Sequence, residues 1–261
     1  MPTHYRTLNF KNTPIHYKTL GKGPAIILLH GFLESSTMWQ PLLPQLAEDH
    51  FVVAIDLPGH GQSGVLADIH SMELMAEAVN EIMAHLRLDT ATFVGHSMGG
   101  YVVLAFLELF PEKVERLMLL NSTPAADSDE RKNNRNRALK VVDQNPQAYI
   151  SMAIGNLFTQ KSHEIFPKEI ENLKKEAFSF PVDGIKAAIK GMRDRKDRTE
   201  VLKNFTKSKY MLLSQADPIL SVSETKSLAE RVKASVKIIE GGHMSTIENK
   251  EGVAEYLHFI G

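Results

Sequence analysis

Ala91-Thr92-Phe93-Val94-Gly95-His96-Ser97-Met98-Gly99-Gly100 decides how this chain is read. Ala91–Val94 has the composition of a strand, and Tyr101–Phe110 has the apolar spacing of a helix. Between them stands G-x-S-x-G, a serine flanked at two positions on each side by glycine. A strand that turns at once into a helix crowds the backbone, so bulky neighbours are not tolerated there. The same turn lifts the Ser97 hydroxyl above the sheet and points the first amides of the helix at whatever it attacks.

Outward from this turn, short apolar runs alternate with longer helical patterns. Tyr5–Phe10 and Ile15–Leu20 flank Asn12-Thr13-Pro14 and predict an antiparallel hairpin. Ala25–Leu29, Phe51–Ile55, Val114–Leu120, Tyr210–Leu213 and Val236–Ile239 suit strands covered on both faces. Helices are predicted over Trp39–Ala47, Ser71–Leu86, Ser97–Phe110, Val222–Arg231 and Glu251–Phe259, with Ser71 as an N-cap. The alternation argues for an α/β fold, a parallel sheet wrapped by helices. From Pro124 to Lys190 no strand is apparent, only helical stretches punctuated by Pro146, Pro167 and Pro181. An insertion of about 65 residues is too long for an ordinary connection and reads as a lid. The expected organisation is a core of residues 1–123 and 191–261, with a helical lid over 124–190.

Composition removes several classes of function. Thirty basic against 31 acidic residues leave a formal net charge of -1, no footprint for nucleic acid. No run approaches the roughly 18 apolar residues of a membrane span, and no leader pattern opens the chain. With no cysteine, disulfides, thiolate metal sites and a cysteine nucleophile are excluded. The cytoplasm is the expected location. No metal-ligand spacing is present, and no cofactor is expected. Gly59-His60-Gly61-Gln62-Ser63-Gly64 spells G-x-G-x-x-G, but a dinucleotide site needs a helix opening at once. Val65–His70 reads as loop, so these glycines are assigned to a turn.

A serine attacks only when a base removes its proton and a third group fixes that base. His243, in Glu240-Gly241-Gly242-His243-Met244 behind the last strand, is the candidate base. The orienting acid precedes the histidine in this kind of sheet. Asp217 follows the Tyr210–Leu213 strand and fits, whereas the position after Val114–Leu120 holds Asn121, which carries no charge. The oxyanion donors are assigned to the backbone N–H groups of Met98 and Phe32, each typically worth about 2.7–4 kcal/mol in the transition state. His96 is read as a packed scaffold residue. Ile219, Leu220 and Met244 flank the acid and base and are candidates for the pocket wall, as is Trp39, which serves equally well as an apolar anchor. Arg131, Lys132, Arg135, Arg137 and Lys140 form a basic cluster that is either a solvated helix face or an attractor for anions.

Taken in order, His30-Gly31-Phe32, Asp56-Leu57-Pro58-Gly59-His60-Gly61-Gln62-Ser63, Gly95-His96-Ser97-Met98-Gly99-Gly100, Ala216-Asp217-Pro218 and Gly242-His243 resemble the α/β-hydrolase superfamily, in its compact lidded branch. The resemblance spans the chain outside Pro124–Lys190. One departure is Ser214-Gln215-Ala216 ahead of the acid, where relatives usually carry glycine. It implies an eight-stranded, mostly parallel sheet with the lid inserted after the sixth strand, and a pocket between sheet and lid. It also implies Ser97, Asp217 and His243 as a triad acting on a small-molecule acyl substrate, in the manner of a carboxylesterase. Relatives that dehalogenate alkanes or open epoxides use an aspartate where this chain has Ser97. Two rival readings keep the same triad: cleavage of a C–C bond in a dienoic or diketone acid (or a lyase reaction), and a ligand-binding member that turns nothing over.

Overall fold

The computed structural model describes residues 4–260. One eight-stranded sheet runs through it in the order β1-β2-β4-β3-β5-β6-β7-β8. The strands are β1 (His4–Phe10), β2 (Thr13–Leu20), β3 (Ala25–Leu29), β4 (Phe51–Ile55), β5 (Ala91–His96), β6 (Val114–Leu120), β7 (Ser208–Ser214) and β8 (Ser235–Ile239). Only the pairings made by β2 are antiparallel. The hairpin turns at Lys11 and Asn12, both at positive φ, as the right-handed twist of two strands joined by two residues requires. Pro14 therefore lies inside β2, opposite Asn9. β3 is buried at every position, which is why its sequence is continuously apolar.

Helices close both faces. On one face α2 (Met72–His85) and α3 (Met98–Leu109) bury Met75, Val79, Ile82, Val103 and Phe106 against the sheet. The Ser71 hydroxyl caps α2 by accepting from the Leu74 amide at 3.1 Å. The other face is covered by the segment after β3 and by the last helix, through Val253 and Leu257. There the structure departs from the continuous helix predicted over Trp39–Ala47. A 3-10 turn spans Ser36–Trp39, and a separate short helix α1 spans Leu43–Leu46. Pro41 and Pro44 are the reason, since each lacks the N–H that a continuing helix must donate. Trp39 is fully buried among Met38, Leu42 and Val94 in this layer. It is an apolar anchor and not part of a pocket wall.

Between β6 and β7 the chain forms α4 (Asp129–Gln144), α5 (Pro146–Gly155), α6 (Gln160–Ile165), α7 (Pro167–Ala177), α8 (Val182–Arg193) and α9 (Thr199–Asn204). α8 runs three residues past the expected boundary at Lys190. The remaining helices are α10 (Val222–Arg231), α11 (Ser245–Glu248) and α12 (Lys250–Ile260). The insertion has its own apolar centre, where Tyr149, Ile154, Phe158, Phe180, Ile185 and Ile189 meet Leu33 and Met244 of the core. Two arginines pin its base. Arg195 reaches Asp127 and the Ala125 carbonyl and covers the Tyr101 ring, 4.0 Å from its centroid. The buried Arg198 binds Glu73 of α2 at 2.6 Å and Glu108 of α3 at 2.8 Å. Among the described residues, no helix is long and apolar enough to cross a membrane.

α8 sits on the loop before α2 through backbone, with the His70 amide donating to the Ala187 carbonyl at 3.1 Å. A Cβ on Gly191 would lie 1.7 Å from the His70 carbonyl oxygen. No flexible side chain can give way there. Gly191→Ala is expected to lower stability by about 3 kcal/mol, the upper end of overpacking, in urea unfolding; an unchanged midpoint would show that α8 is not seated in this way.

Candidate active site

The G-x-S-x-G turn is as tight as its sequence demands. Ser97 has φ 49° and ψ -114°, and α3 begins at Met98. A Cβ on Gly95 would meet the Gly100 amide at 2.5 Å, and one on Gly99 would meet the Leu29 carbonyl oxygen at 2.3 Å. Such backbone strain costs of order 1–3 kcal/mol and persists only where surrounding bonds hold it. Here the Ser97 amide donates to the Leu120 carbonyl at 3.0 Å, and the Ser122 hydroxyl donates to the Ser97 carbonyl at 2.7 Å.

Loops at the carboxyl ends of β7 and β8 bring the other two groups to it. His243 Nε2 lies 2.9 Å from Ser97 Oγ, and its Nδ1 lies 2.8 and 3.0 Å from the two oxygens of Asp217. A carboxylate only accepts, so Nδ1 carries the proton and Nε2 is left bare toward the hydroxyl. Asp217 also accepts from the Ile219 and Leu220 amides at 2.8 and 3.1 Å and from Asn121 Nδ2 at 2.9 Å. Burial alone would raise its pKa. The hydrogen bond from His243, with those from Asn121 and the Ile219 amide, outweighs burial and holds the group below the ordinary carboxylate range.

The oxyanion candidates flank this line. Met98 is the first residue of α3, so its amide has no intrahelical acceptor. Phe32 lies in the turn after β3, where Leu33 takes φ 62°. Beneath this turn is a pair that no local pattern announces. Glu34 accepts from the Gly31 amide at 2.8 Å and meets His96 Nδ1 at 3.0 Å, while His96 Nε2 meets the His243 carbonyl at 3.0 Å. Both ring nitrogens face oxygens that accept, which makes His96 a doubly protonated donor. Burial opposes both charges, yet each raises the other's stability: Glu34 is held low and His96 is held high. His96 is thus a scaffold residue, as its sequence position implied, but a charged one.

The other expected wall residues divide. Met244 is buried under the insertion beside His243. Ile219 donates its amide to Asp217, and its carbonyl accepts from Arg131 Nη2 at 2.6 Å. Leu220 lines a separate crevice of about 270 Å³ with Thr123, Arg131 and Arg195. The basic cluster is not one surface. Arg131 and Arg135 are spent on Ile219 and Asp127, and Arg137 turns to Asn134; Lys132 is half-buried and Lys140 exposed. The glycines of Gly59–Gly64 form a turn closed by the Gly59 amide on the Gly64 carbonyl at 2.9 Å, with no helix before Met72.

With the site assembled, the chain can be placed: it belongs to the alpha/beta hydrolase fold family, whose pattern matches residues 24–250. Its structure resembles that of a thermophilic esterase from Thermogutta terrifontis, solved with malate bound, at TM-score 0.92 and 27% identity over 98% of this chain and 97% of that one. In sequence it is similar to 3-oxoadipate enol-lactonase 2 of Acinetobacter baylyi, 24% identical over 95% of this chain and 93% of that protein. It also matches an uncharacterized protein of Mycobacterium tuberculosis, 38% identical over 41% of this chain, a match that spans 31% of that protein's length.

Three buried histidines surround the loop under Phe32. His60 contacts the rings of His30, Phe32 and Phe180. Burial lowers His30 and His70, the latter to about 4, and drives His60 well down. Because these folded values lie below that of the unfolded chain, about 6.5, the unfolded state takes up the protons first. Stability is then full above pH 6.5 and falls as pH drops, His70 alone costing roughly 3 kcal/mol near pH 4. His96, held high, works in the opposite sense. Urea midpoints are expected to fall steadily between pH 7.5 and pH 4.5; a flat profile would contradict neutral buried rings.

Proposed function

We propose that the protein is a serine hydrolase that cleaves acyl esters or thioesters of small to medium substrates. The observation that carries this reading is the unbroken line from Asp217 through both nitrogens of His243 to Ser97 Oγ, ending on a strained turn. Ser97 attacks the acyl carbonyl as its proton passes to His243 Nε2. The oxyanion sits between the Phe32 and Met98 amides. Asp217 keeps the imidazole in the required tautomer and stabilises its charged form. Collapse of the intermediate expels the alcohol or thiol, which takes the proton from His243 and leaves an acyl-serine. Water, deprotonated by His243, then attacks the acyl carbon and releases the acid and Ser97. No metal or cofactor takes part in this scheme. The insertion acts as the lid over Ser97. The similar esterase and enol-lactonase, the second acting on a cyclic ester by its name, support ester chemistry. The engagement of Arg131 and Arg135 within the fold reduces the free basic surface that favoured C–C cleavage of anionic acids.

A fluorophosphonate probe is expected to label Ser97, and short p-nitrophenyl esters to be turned over. Ser97→Ala should abolish labelling and lower kcat by about 10⁴–10⁶. Equal turnover by wild type and variant removes Ser97 from the chemistry, and an unlabelled wild type favours a ligand-binding role.

Asn121→Asp sets a second carboxyl against Asp217, where Nδ2 now donates at 2.9 Å. Two carboxylates that close share a proton, and one pKa rises steeply. The variant is expected to lose about 10- to 100-fold in kcat/KM at pH 7, with its acidic limb moved to higher pH. A profile identical to wild type would show that Asp217 does not depend on that donor.

A further inference from the structure

The loop between β8 and α11 carries His243, and two parts of the protein hold its main chain at once. On the core side, the Gly241 carbonyl accepts from the Ala216 amide at 3.0 Å, and the His243 carbonyl meets His96 Nε2 at 3.0 Å. On the other side stand the amides of Gly242, His243 and Met244. The first and third donate to one oxygen of Glu248, Oε2, at 3.0 and 3.1 Å. The second donates to the Leu157 carbonyl, in the connection between α5 and α6, at 3.2 Å. The other oxygen of Glu248 accepts from the hydroxyl of Ser162 on α6. Ser162 Oγ in turn lies 2.7 Å from Oγ1 of Thr159, the N-cap of α6.

Capping of α11 does not account for this arrangement. A glutamate near the start of a helix commonly reaches back to the N-cap amide, which here is that of Met244. The Gly242 amide lies two residues before the N-cap, and Ser162 belongs to another segment, 86 residues away. Gly242 is also the residue that admits the carboxylate. A Cβ there would lie 2.8 Å from both of its oxygens.

The His243 ring hangs on two rotatable bonds, so the places of its nitrogens follow from where its backbone is fixed. A displacement of about 1 Å in a catalytic group can cost on the order of 10²-fold in rate. The three amides fix that backbone through a side chain bonded to the insertion and a carbonyl of the insertion itself. The geometry points to Glu248 as a positioning residue, which seats His243 against Ser97 and Asp217 and makes that seat depend on the docking of α5 and α6. The inference rests on the hydrolytic reading and deepens it: the insertion, besides covering Ser97, sets the base.

The test compares Glu248→Ala, Glu248→Gln, Ser162→Ala and the double variant Ser162→Ala/Glu248→Ala in the full chain. Turnover of a p-nitrophenyl ester, labelling by a fluorophosphonate probe and the ¹H resonance of His243 Nδ1–H are measured on each. Glu248→Ala is expected to lower kcat about 10- to 100-fold with KM unchanged. The probe should label it to completion, only more slowly, which separates a misplaced base from a fraction of unfolded molecules. Its low-field Nδ1–H resonance, from the bond to Asp217, should shift or broaden. Glu248→Gln should restore kcat to within about threefold of wild type, because its carbonyl oxygen accepts from both amides and its NH₂ donates to the Ser162 hydroxyl. Ser162→Ala should lower kcat about two- to tenfold, as loss of one hydrogen bond does, and should cost nothing further in the Glu248→Ala background. Ser162→Ala leaves both amide bonds in place and decides the matter if Glu248→Ala does not fold. Wild-type kcat and resonance in either single alanine variant, a Glu248→Gln as impaired as Glu248→Ala, or additive losses in the double variant would overturn the proposal. A wild type that the probe does not label removes the hydrolytic reading alone, and the Nδ1–H resonance of the same variants then decides whether Glu248 seats His243.

Discussion

The structure depends on one close approach, the passage of α3 over the end of β3 with nothing but Gly99 between its backbone and the Leu29 carbonyl. Any side chain there would lift the start of α3 away from the sheet. Ser97 would then leave its unusual backbone conformation, and its oxygen would move off the His243 ring. The strain at Ser97 is held by bonds from two neighbouring segments, the Leu120 carbonyl of β6 and the Ser122 hydroxyl just beyond it. The position of the hydroxyl is therefore a property of the sheet and not of a loop. Placement of that kind holds the Ser97 oxygen within hydrogen-bond reach of His243.

The same economy of side chains seats the insertion. Gly59 and Gly184 bring the turn below Phe32 and the start of α8 within backbone contact, and Gly191 repeats the arrangement two helical turns on. With Arg195 and Arg198 holding its base, α8 is bound at its backbone and at its root. α4–α7 contact the core around Leu33 and Met244, and the connection between α5 and α6 accepts at the Leu157 carbonyl from the His243 amide at 3.2 Å. The insertion is thus tied by main chain at both ends of its span over the core, at α8 and beside His243.

What could be read from the sequence follows the range of the physics involved. The turn at Ser97, the hairpin and the parallel strands were legible because glycine spacing and apolar runs act over a few residues. The cluster of Ser97, Asp217 and His243 was legible because each sits behind an identifiable strand. Trp39–Ala47 misled because its apolar spacing fits a helix, while Pro41 and Pro44 forbid the hydrogen bonds of a continuous one. Glu34 and His96 are 62 residues apart, and neither carries a local sign that it will be buried beside the other.

Asn121 shows how a residue set aside for lacking charge can still govern the site. Its φ of 45° is a conformation that asparagine tolerates better than most side chains. Its Oδ1 accepts from the Ser214 and Ser245 hydroxyls at 3.2 and 3.1 Å, which leaves only Nδ2 to face Asp217. The amide is thereby locked in the one orientation that donates to the carboxylate. A carboxylate at the end of β6 would repel Asp217; an amide there supports its charge and fixes its plane. The strand end that holds no acid therefore contributes to the acid at the next strand, and Asp217 is anchored from β6, β7 and β8 together.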